Sequence, residues 1–300
     1  MDDTPHFSIV IPTYNRAALI RQTIESVLAQ QEPRFEVIVV DDGSLDETED
    51  AVRSITDPRV KYFKKENGER GAARNYGAAR ARGEYINFLD SDDLLYPNHL
   101  TVAARLIAAH DRPAIFHLGF DMKDANGKLL YRIDSFRGSV NEKLLRGNIF
   151  SCNGVFLRKD VAQAFPFNED RRLSASEDWE LWLRLAARYE IYYSNEVTSV
   201  IVNHEDRSVL TGDERALVDR KNLTLKYLSE DQTFVDKYGA QRNLIEAEFL
   251  SYIALHLALA GKRQPAARFL TQSVRLLPGS TFSRRFLAVI KHIIRNSQKI

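Results

Sequence analysis

One cysteine in 300 residues, Cys152, leaves no internal disulfide to form and no thiolate set to hold a metal. Long apolar runs are missing as well: nowhere do about 18 consecutive apolar residues occur, so no membrane-spanning helix is expected. The opening stretch, Met1 to Phe7, is polar and acidic and does not read as a secretory signal. Nor is there charge of one sign. Lys+Arg 42 against Asp+Glu 41 gives a formal net charge of +1, which removes any whole-protein attraction to nucleic acid and makes electrostatic function local. Low-complexity tracts and internal repeats are absent from the sequence.

What is present is enough chain for one large α/β domain plus a smaller appendage. Phe7 to Ile11 reads as a strand stopped by Pro12. Ile20, Ile24, Val27 and Leu28 then recur at i, i+4, i+7 and i+8, the spacing of a helix with one buried face. Phe35 to Val40 is almost wholly apolar, as expected of a strand buried on both faces. A polar turn at Asp41-Asp42-Gly43-Ser44 leads to a helical stretch from Asp46. Val60 to Phe63 and Tyr85 to Leu89 are further strands; Gly71 to Ala81 and Asn98 to Ala109 are further helices. This alternation predicts a mainly parallel sheet with right-handed crossovers. Ala114 to Lys123 and Lys128 to Ile133 are expected to pair as a hairpin around Asn126-Gly127. Asp178 to Tyr189 is predicted as a helix, and Ile191 to Tyr193 and Thr198 to Val202 as two short closing strands. After Asp213 the chain reads as helical, with breaks at Pro265 and Pro278. The expected division is therefore an α/β domain over residues 1–212 and a helical extension over 213–300.

In a parallel sheet, polar groups at the carboxyl ends of the strands line the ligand crevice. Three places qualify: Pro12-Thr13-Tyr14-Asn15, Asp41-Asp42, and Asp90-Ser91-Asp92-Asp93. In an extended chain Asp90 and Asp92 face the same way and converge on one ligand. Adjacent carboxylates repel unless a positive charge lies between them, and Mg²⁺ or Mn²⁺ held by carboxylates and substrate phosphates meets that need. The competing reading is that these acids cap the helix starting near Pro97 or Asn98. Asp42 fits a ribose or base contact, or plain turn chemistry. Asn67 to Gly77 joins glycines, which admit close backbone approach, to Arg70 and Arg74, whose guanidinium groups suit phosphate. A surface helix with solvated arginines would carry the same residues. Asp178, at a helix start before an aromatic-rich face, is placed either to deprotonate a hydroxyl or to cap the helix. His204 is a third metal ligand or a structural histidine.

Taken together, these segments resemble the family 2 glycosyltransferases over residues 6 to 210. Phe7-Ser8-Ile9-Val10-Ile11-Pro12-Thr13-Tyr14-Asn15-Arg16 is similar to that family's first strand and donor loop, and Glu36 to Ser44 to its second. Asn67 to Gly77 resembles its glycine-arginine-asparagine segment, Gly83 to Asp93 its metal-binding Asp-x-Asp, and Glu177-Asp178-Trp179-Glu180-Leu181-Trp182 its catalytic-base motif. The resemblance implies a GT-A fold, a nucleotide-sugar donor that is most often a UDP-sugar, and inversion at the anomeric carbon. By position it places Pro12 and Tyr14 beside the nucleobase, with Thr13 in the same donor loop and Asp42 binding the base. It places Asp90 and the adjoining Ser91 at the ribose, Arg70 or Arg74 near the phosphates, and Asp92, Asp93 and His204 at the metal. Asp178 becomes the base. The Asp-Ser-Asp-Asp tetrad leaves the choice between Asp92 and Asp93 open. No Gln-x-x-Arg-Trp stretch of the processive members is present, which implies one sugar per encounter.

The reaction so implied takes an acceptor hydroxyl of a saccharide or lipid-linked molecule, by family association in bacterial surface polysaccharide or glycolipid synthesis. Two other readings compete. A sugar nucleotidyltransferase usually carries a glycine-rich loop after its first strand, which Pro12 to Arg16 lacks. A non-catalytic nucleotide-sugar-binding protein would not need both an Asp-x-Asp and a candidate base. The last helix sets Arg284, Arg285, Lys291, His292, Arg295 and Lys299 beside Phe286, Leu287, Val289, Ile290, Ile293 and Ile294. That is the pattern of a basic amphipathic helix lying on an anionic membrane, packing on the core, or pairing with another subunit. The expected location is the cytoplasm, with peripheral contact at the inner face of the plasma membrane.

Overall fold

Seven consecutive buried residues, Phe7–Thr13 (β1), begin the sheet, and another seven, Phe35–Asp41 (β2), lie beside them in parallel. Strands apolar on both faces belong in the middle of a layered α/β sheet, and these two occupy that place. The computed structural model describes residues 5–132, 138–204 and 213–295. In chain order β1 is followed by α1 (Ala17–Leu28), β2, α2 (Thr48–Arg53), β3 (Val60–Lys64), α3 (Glu69–Ala78), β4 (Tyr85–Phe88), β5 (Leu94–Leu95) and α4 (His99–Ala109). Then come β6 (Ile115–Asp124), β7 (Leu129–Arg132), α5 (Val140–Leu144), β8 (Val155–Arg158), α6 (Lys159–Ala164), α7 (Glu177–Arg188) and β9 (Tyr192–Asn203). Five helices close the described chain: α8 (Glu214–Glu230), α9 (Gln232–Tyr238), α10 (Arg242–Leu259), α11 (Arg263–Leu276) and α12 (Arg284–Arg295).

The strands run in the order β3-β2-β1-β4-β8-β6-β9-β5, with β7 hydrogen-bonded to β6. From β3 to β4 all pairings are parallel; β8 joins antiparallel to both β4 and β6, while β6 and β9 are parallel. One face of the sheet packs on α1 and α4, where Ile9, Ile11, Val37 and Val39 meet Ile20, Ile24, Leu100 and Ala103. The other face takes α3 at close range. A Cβ on Gly77 would stand 2.4 Å from a Val10 methyl and 3.2 Å from a Val40 methyl, so only glycine lets the helix approach β1 and β2 so closely.

The chain divides into two compact units that interleave in sequence. One comprises Met1–Val140, Phe150–Arg171 and Tyr189–Glu205; the other comprises Asn141–Ile149, Arg172–Arg188 and Asp206–Ile300. Two internal segments, 141–149 and 172–188, the latter carrying all of α7, thus belong to the same unit as the C-terminal helices. That second unit has its own core of Leu217, Leu250, Ile253, Leu257, Phe269 and Leu270.

Two local expectations change and a third holds. The two closing strands are the single strand β9, paired along β6 with register shifts on either side of Gly119. Pro265 does not break a helix: it lies in the first turn of α11, where a missing N–H costs nothing, and the break belongs to Gly261 at φ +77°. The hairpin at Asn126-Gly127 forms with β7 as its second arm, and Ile133 lies outside the described residues.

Candidate active site

The register sets the strand tips level. Thr13 pairs with Asp41 and Val10 with Phe88, so the loops after β1, β2 and β4 leave the same edge of the sheet. The first two loops are stitched together. The Asn15 amide donates to Ser44 Oγ at 2.9 Å, Leu45 N–H to Asn15 Oδ1 at 2.8 Å, and Arg16 N–H to Thr48 Oγ1 at 2.9 Å. Asn15 holds φ +50°, a left-handed turn that asparagine tolerates well. Pro12 is buried, and so is Thr13, whose hydroxyl has no partner among the described residues. Tyr14 is 45% exposed and can stack on a planar ligand.

Asp41 and Asp42 serve different ends. Asp41 is fully buried; Tyr62 Oη donates to it at 2.6 Å and Ser44 N–H at 2.7 Å, which makes it a brace for the turn. Burial, reinforced by Asp41, pushes the Tyr62 phenol well above its ordinary value. Asp42 accepts from Lys65 Nζ at 2.8 Å and from Gly68 N–H at 2.9 Å, both on Oδ1. Among the described residues Oδ2 accepts no hydrogen bond, and it is the oxygen a ligand donor can use. The sequence alone does not single out Lys65; its signal is a cation following β3, at the same edge as Asp42.

The four residues of the acidic turn separate by partner. Asp93 N–H closes the turn on Asp90 O at 3.1 Å. Asp90 receives Arg74 Nη2 at 2.7 Å; Arg74 itself is 1% exposed and lies over the Phe167 ring at 5.2 Å. Arg74 is thus a buried partner of Asp90, not a solvated surface residue. Ser91 is buried and its carbonyl accepts from Thr23 Oγ1 of α1 at 3.0 Å. Asp93, 1% exposed, accepts from Val202 N–H at 2.9 Å and Asn153 Nδ2 at 3.4 Å, so its carboxylate ties the turn to β9. Asp92 meets His204 Nε2 at 2.9 Å, with Arg16 Nε 3.9 Å from the same oxygen. The turn does not cap α4, which has no acid in its first turn and no side-chain cap at Asn98. Arg70 sits half-buried in the first turn of α3.

The chemistry of this donor set fits a divalent cation at Asp92 and His204. Neighbouring ligands on an ion with bonds of about 2.1 Å lie about 3 Å apart, close to the separation of these two side chains. Among the described residues no group of three or more His, Cys, Asp or Glu converges. Two protein ligands completed by phosphate oxygens is a frequent arrangement for such ions.

Asp178 belongs to the second unit. Its Oδ1 accepts from Trp179 N–H at 2.7 Å and its Oδ2 from Asn148 Nδ2 at 2.9 Å. The surrounding side chains are locked: Trp179 Nε1 donates to Leu144 O at 2.9 Å, its ring packs 4.4 Å from Phe249, and Trp182 is fully buried. The two neighbouring acids are tied up otherwise. Glu177 is 3% exposed and turned back onto Ser176 N–H, and Glu180 is buried against Arg184 at 2.7 Å. Burial raises the Glu180 carboxyl against the opposing pull of Arg184. Of the three, Asp178 is the carboxylate that is only partly buried.

The family description "Glycosyl transferase family 2" matches residues 8–164. An uncharacterised glycosyltransferase of Rickettsia bellii is 37% identical over 199 residues, covering 63% of this chain. The chain spans 28% of that protein's length and under two thirds of three further rickettsial glycosyltransferases. A glycosyl transferase of Escherichia coli K12 named for colanic acid biosynthesis, WcaA, is 29% identical, covering 70% of this chain and 77% of its own. Among solved structures, Staphylococcus aureus TarS 1-349 in complex with UDP-GlcNAc superposes with a TM-score of 0.66 at 20% identity, over 97% of this chain and 89% of that one. The mannosyltransferase PcManGT of Pyrobaculum calidifontis, in complex with GDP-Man and Mn²⁺, gives 0.57 at 19%, over 98% and 87%. At such identities the likeness establishes the fold, which is GT-A. Among the described residues no helix is long and apolar enough to cross a membrane. With the strand-tip loops, the acidic turn and more than half its length matched, the chain belongs to glycosyl transferase family 2.

Proposed function

We propose that the protein transfers a sugar from a nucleoside-diphosphate sugar, a UDP-sugar first among candidates, to an acceptor hydroxyl with inversion at the anomeric carbon. The observation that carries this reading is the pairing of Asp92 with His204 at 2.9 Å, beside Arg16 and at the same sheet edge as Asp42. Asp42 Oδ2 accepts from the nucleobase, and Tyr14 covers its face. Asp90, fixed by Arg74, accepts from the ribose, with Ser91 adjoining. Asp92 and His204 hold Mn²⁺ or Mg²⁺, while Asp93 keeps the turn in shape. When bound, the ion neutralises charge on the departing diphosphate. Arg16 and Arg70 add positive charge for the same phosphates.

Asp178 removes the proton of the acceptor hydroxyl as that oxygen attacks the anomeric carbon. Asn148 and the Trp179 amide fix the carboxylate's direction, and an ionised carboxylate has lone pairs enough to accept from a hydroxyl as well. The name of the E. coli relative and the family resemblance support a bacterial surface saccharide or lipid-linked saccharide as acceptor. The test is a thermal-shift screen of nucleotide-sugars with and without Mn²⁺, followed by turnover with the donor found. A rise in melting temperature with a UDP-sugar that requires the ion agrees with the proposal. Pyrophosphate release from a nucleoside triphosphate and a sugar phosphate would point to a nucleotidyltransferase, and binding without transfer or hydrolysis to a non-catalytic protein.

A further inference from the structure

The helix α12 has two apolar faces, and among the described residues only one is covered by protein. Val289 is fully buried in the core of the second unit, with Phe286 and Ile293 packed beside it. Arg285 anchors the same side, donating to Glu248 Oε2 at 2.7 Å and to Ser251 Oγ at 3.1 Å. The other apolar residues point away: Leu287 is 60% exposed, Ile294 58% and Ile290 36%. At about 100° per residue, Ile290, Ile294 and Leu287 fall within one arc, and exposed Lys291 and Arg284 form the strip next to it. Going round the helix, the order is core, apolar band, basic strip. A water-facing helix would reverse the last two properties, placing charge where the apolar band lies.

We propose that this outer face lies in the interface of an anionic bilayer, with Leu287, Ile290 and Ile294 among the acyl chains and Lys291 and Arg284 at the headgroup phosphates. The charge of the strip selects this occupant. An apolar band edged by cations matches a surface that is apolar within and negative at its rim. The buried side of α12 holds the helix against its own unit, so insertion needs no unfolding. None of these residues belongs to the candidate site for sugar transfer.

The experiment is co-sedimentation of the full chain with vesicles of phosphatidylcholine mixed with phosphatidylglycerol, against vesicles of phosphatidylcholine alone. Binding to the mixed vesicles, weakened by salt, is expected. The double substitution Leu287→Gln/Ile294→Gln should lower the partition coefficient about tenfold or more. Lys291→Ala, which touches no buried contact, should lower it about fivefold. Circular dichroism and melting temperature report that each variant remains folded. Absence of binding, equal binding to both vesicle types, or binding untouched by the double substitution would overturn the proposal. So would concentration-dependent dimerisation in light scattering, abolished by the same pair, without vesicle binding; the face would then belong to a second copy.

Discussion

Asp178→Asn is the substitution on which the proposed chemistry turns, and the structure says what else it should change. The amide has the shape of the carboxylate, so its oxygen can keep the Trp179 N–H bond now at 2.7 Å. Its nitrogen would face the Asn148 amide nitrogen, now a donor 2.9 Å from Oδ2. A half-turn of the Asn148 amide presents its oxygen instead and restores a hydrogen bond. What is lost is the charge assistance of that bond, about 1 kcal/mol, and a negative charge in the first turn of α7, about 0.3–1 kcal/mol. A melting temperature lower by a few degrees is the expected cost, at about 2–4 °C per kcal/mol. Turnover should fall about 100- to 10,000-fold, the usual contribution of a positioned base. Calorimetric titration of the nucleotide with Mn²⁺ should be unchanged. If radiolabelled transfer by Asp178→Asn stays within a fewfold of the parent while the protein is folded, Asp178 is not the base.

Other expectations follow from single contacts. Asp92→Ala should weaken donor binding in the presence of Mn²⁺ and leave the weaker metal-free binding as it was; equal loss with and without the ion in calorimetry would contradict its assignment. His99 and His117 are fully buried, and burial brings both down to about 3 against the weak opposing effect of a hydrogen bond. Because the folded value lies below the unfolded value, stability is complete above pH 6.5 and falls with decreasing pH as the unfolded chain takes up protons. By pH 5 each should cost about 2 kcal/mol, and urea denaturation giving equal stability at pH 7 and pH 5 would refute it. Glu36 acts lower on the scale. Burial pushes its carboxyl up, but Lys61, the Arg82 N–H, Ser8 and the Arg82 guanidinium outweigh it and hold it at about 2. Its contribution is present above about pH 4.5 and is lost towards 2, and Glu36→Gln should flatten that part of the curve. Gly77→Ala should destabilise by about 1–3 kcal/mol through its clash with Val10, read as a shift in urea midpoint.

The parallel half of the sheet was legible because burial on both faces leaves an unmixed apolar run, as in Ile9-Val10-Ile11 and Val37 to Val40. That the loops after β1, β2 and β4 share one edge followed from topology, since parallel strands bring their tips together. Partner choice was not legible. Asp90, Asp92 and Asp93 look alike in sequence, yet they meet different partners, Arg74, His204, and Val202 with Asn153, groups 16 to 112 residues away in the chain. The polar Ser194-Asn195-Glu196 reads as an interruption between two strands. It survives inside β9 because Gly119 opposite has no side chain; a Cβ there would come within 2.8 Å of Glu196 O. Membership of α7 in the second unit was invisible for the same reason, since Arg188 reaches its partner Asp231 across 43 residues.

That interleaving has a practical meaning for anyone who would divide the protein. A cut after residue 212 looks harmless on paper, but it would take away Phe249 from Trp179 and Asp231 from Arg188. The helix bearing Asp178 would then present an indole and an uncompensated guanidinium to water. Exchange of the helical tail between relatives faces the same obstacle, because segments 141–149 and 172–188 must change with it.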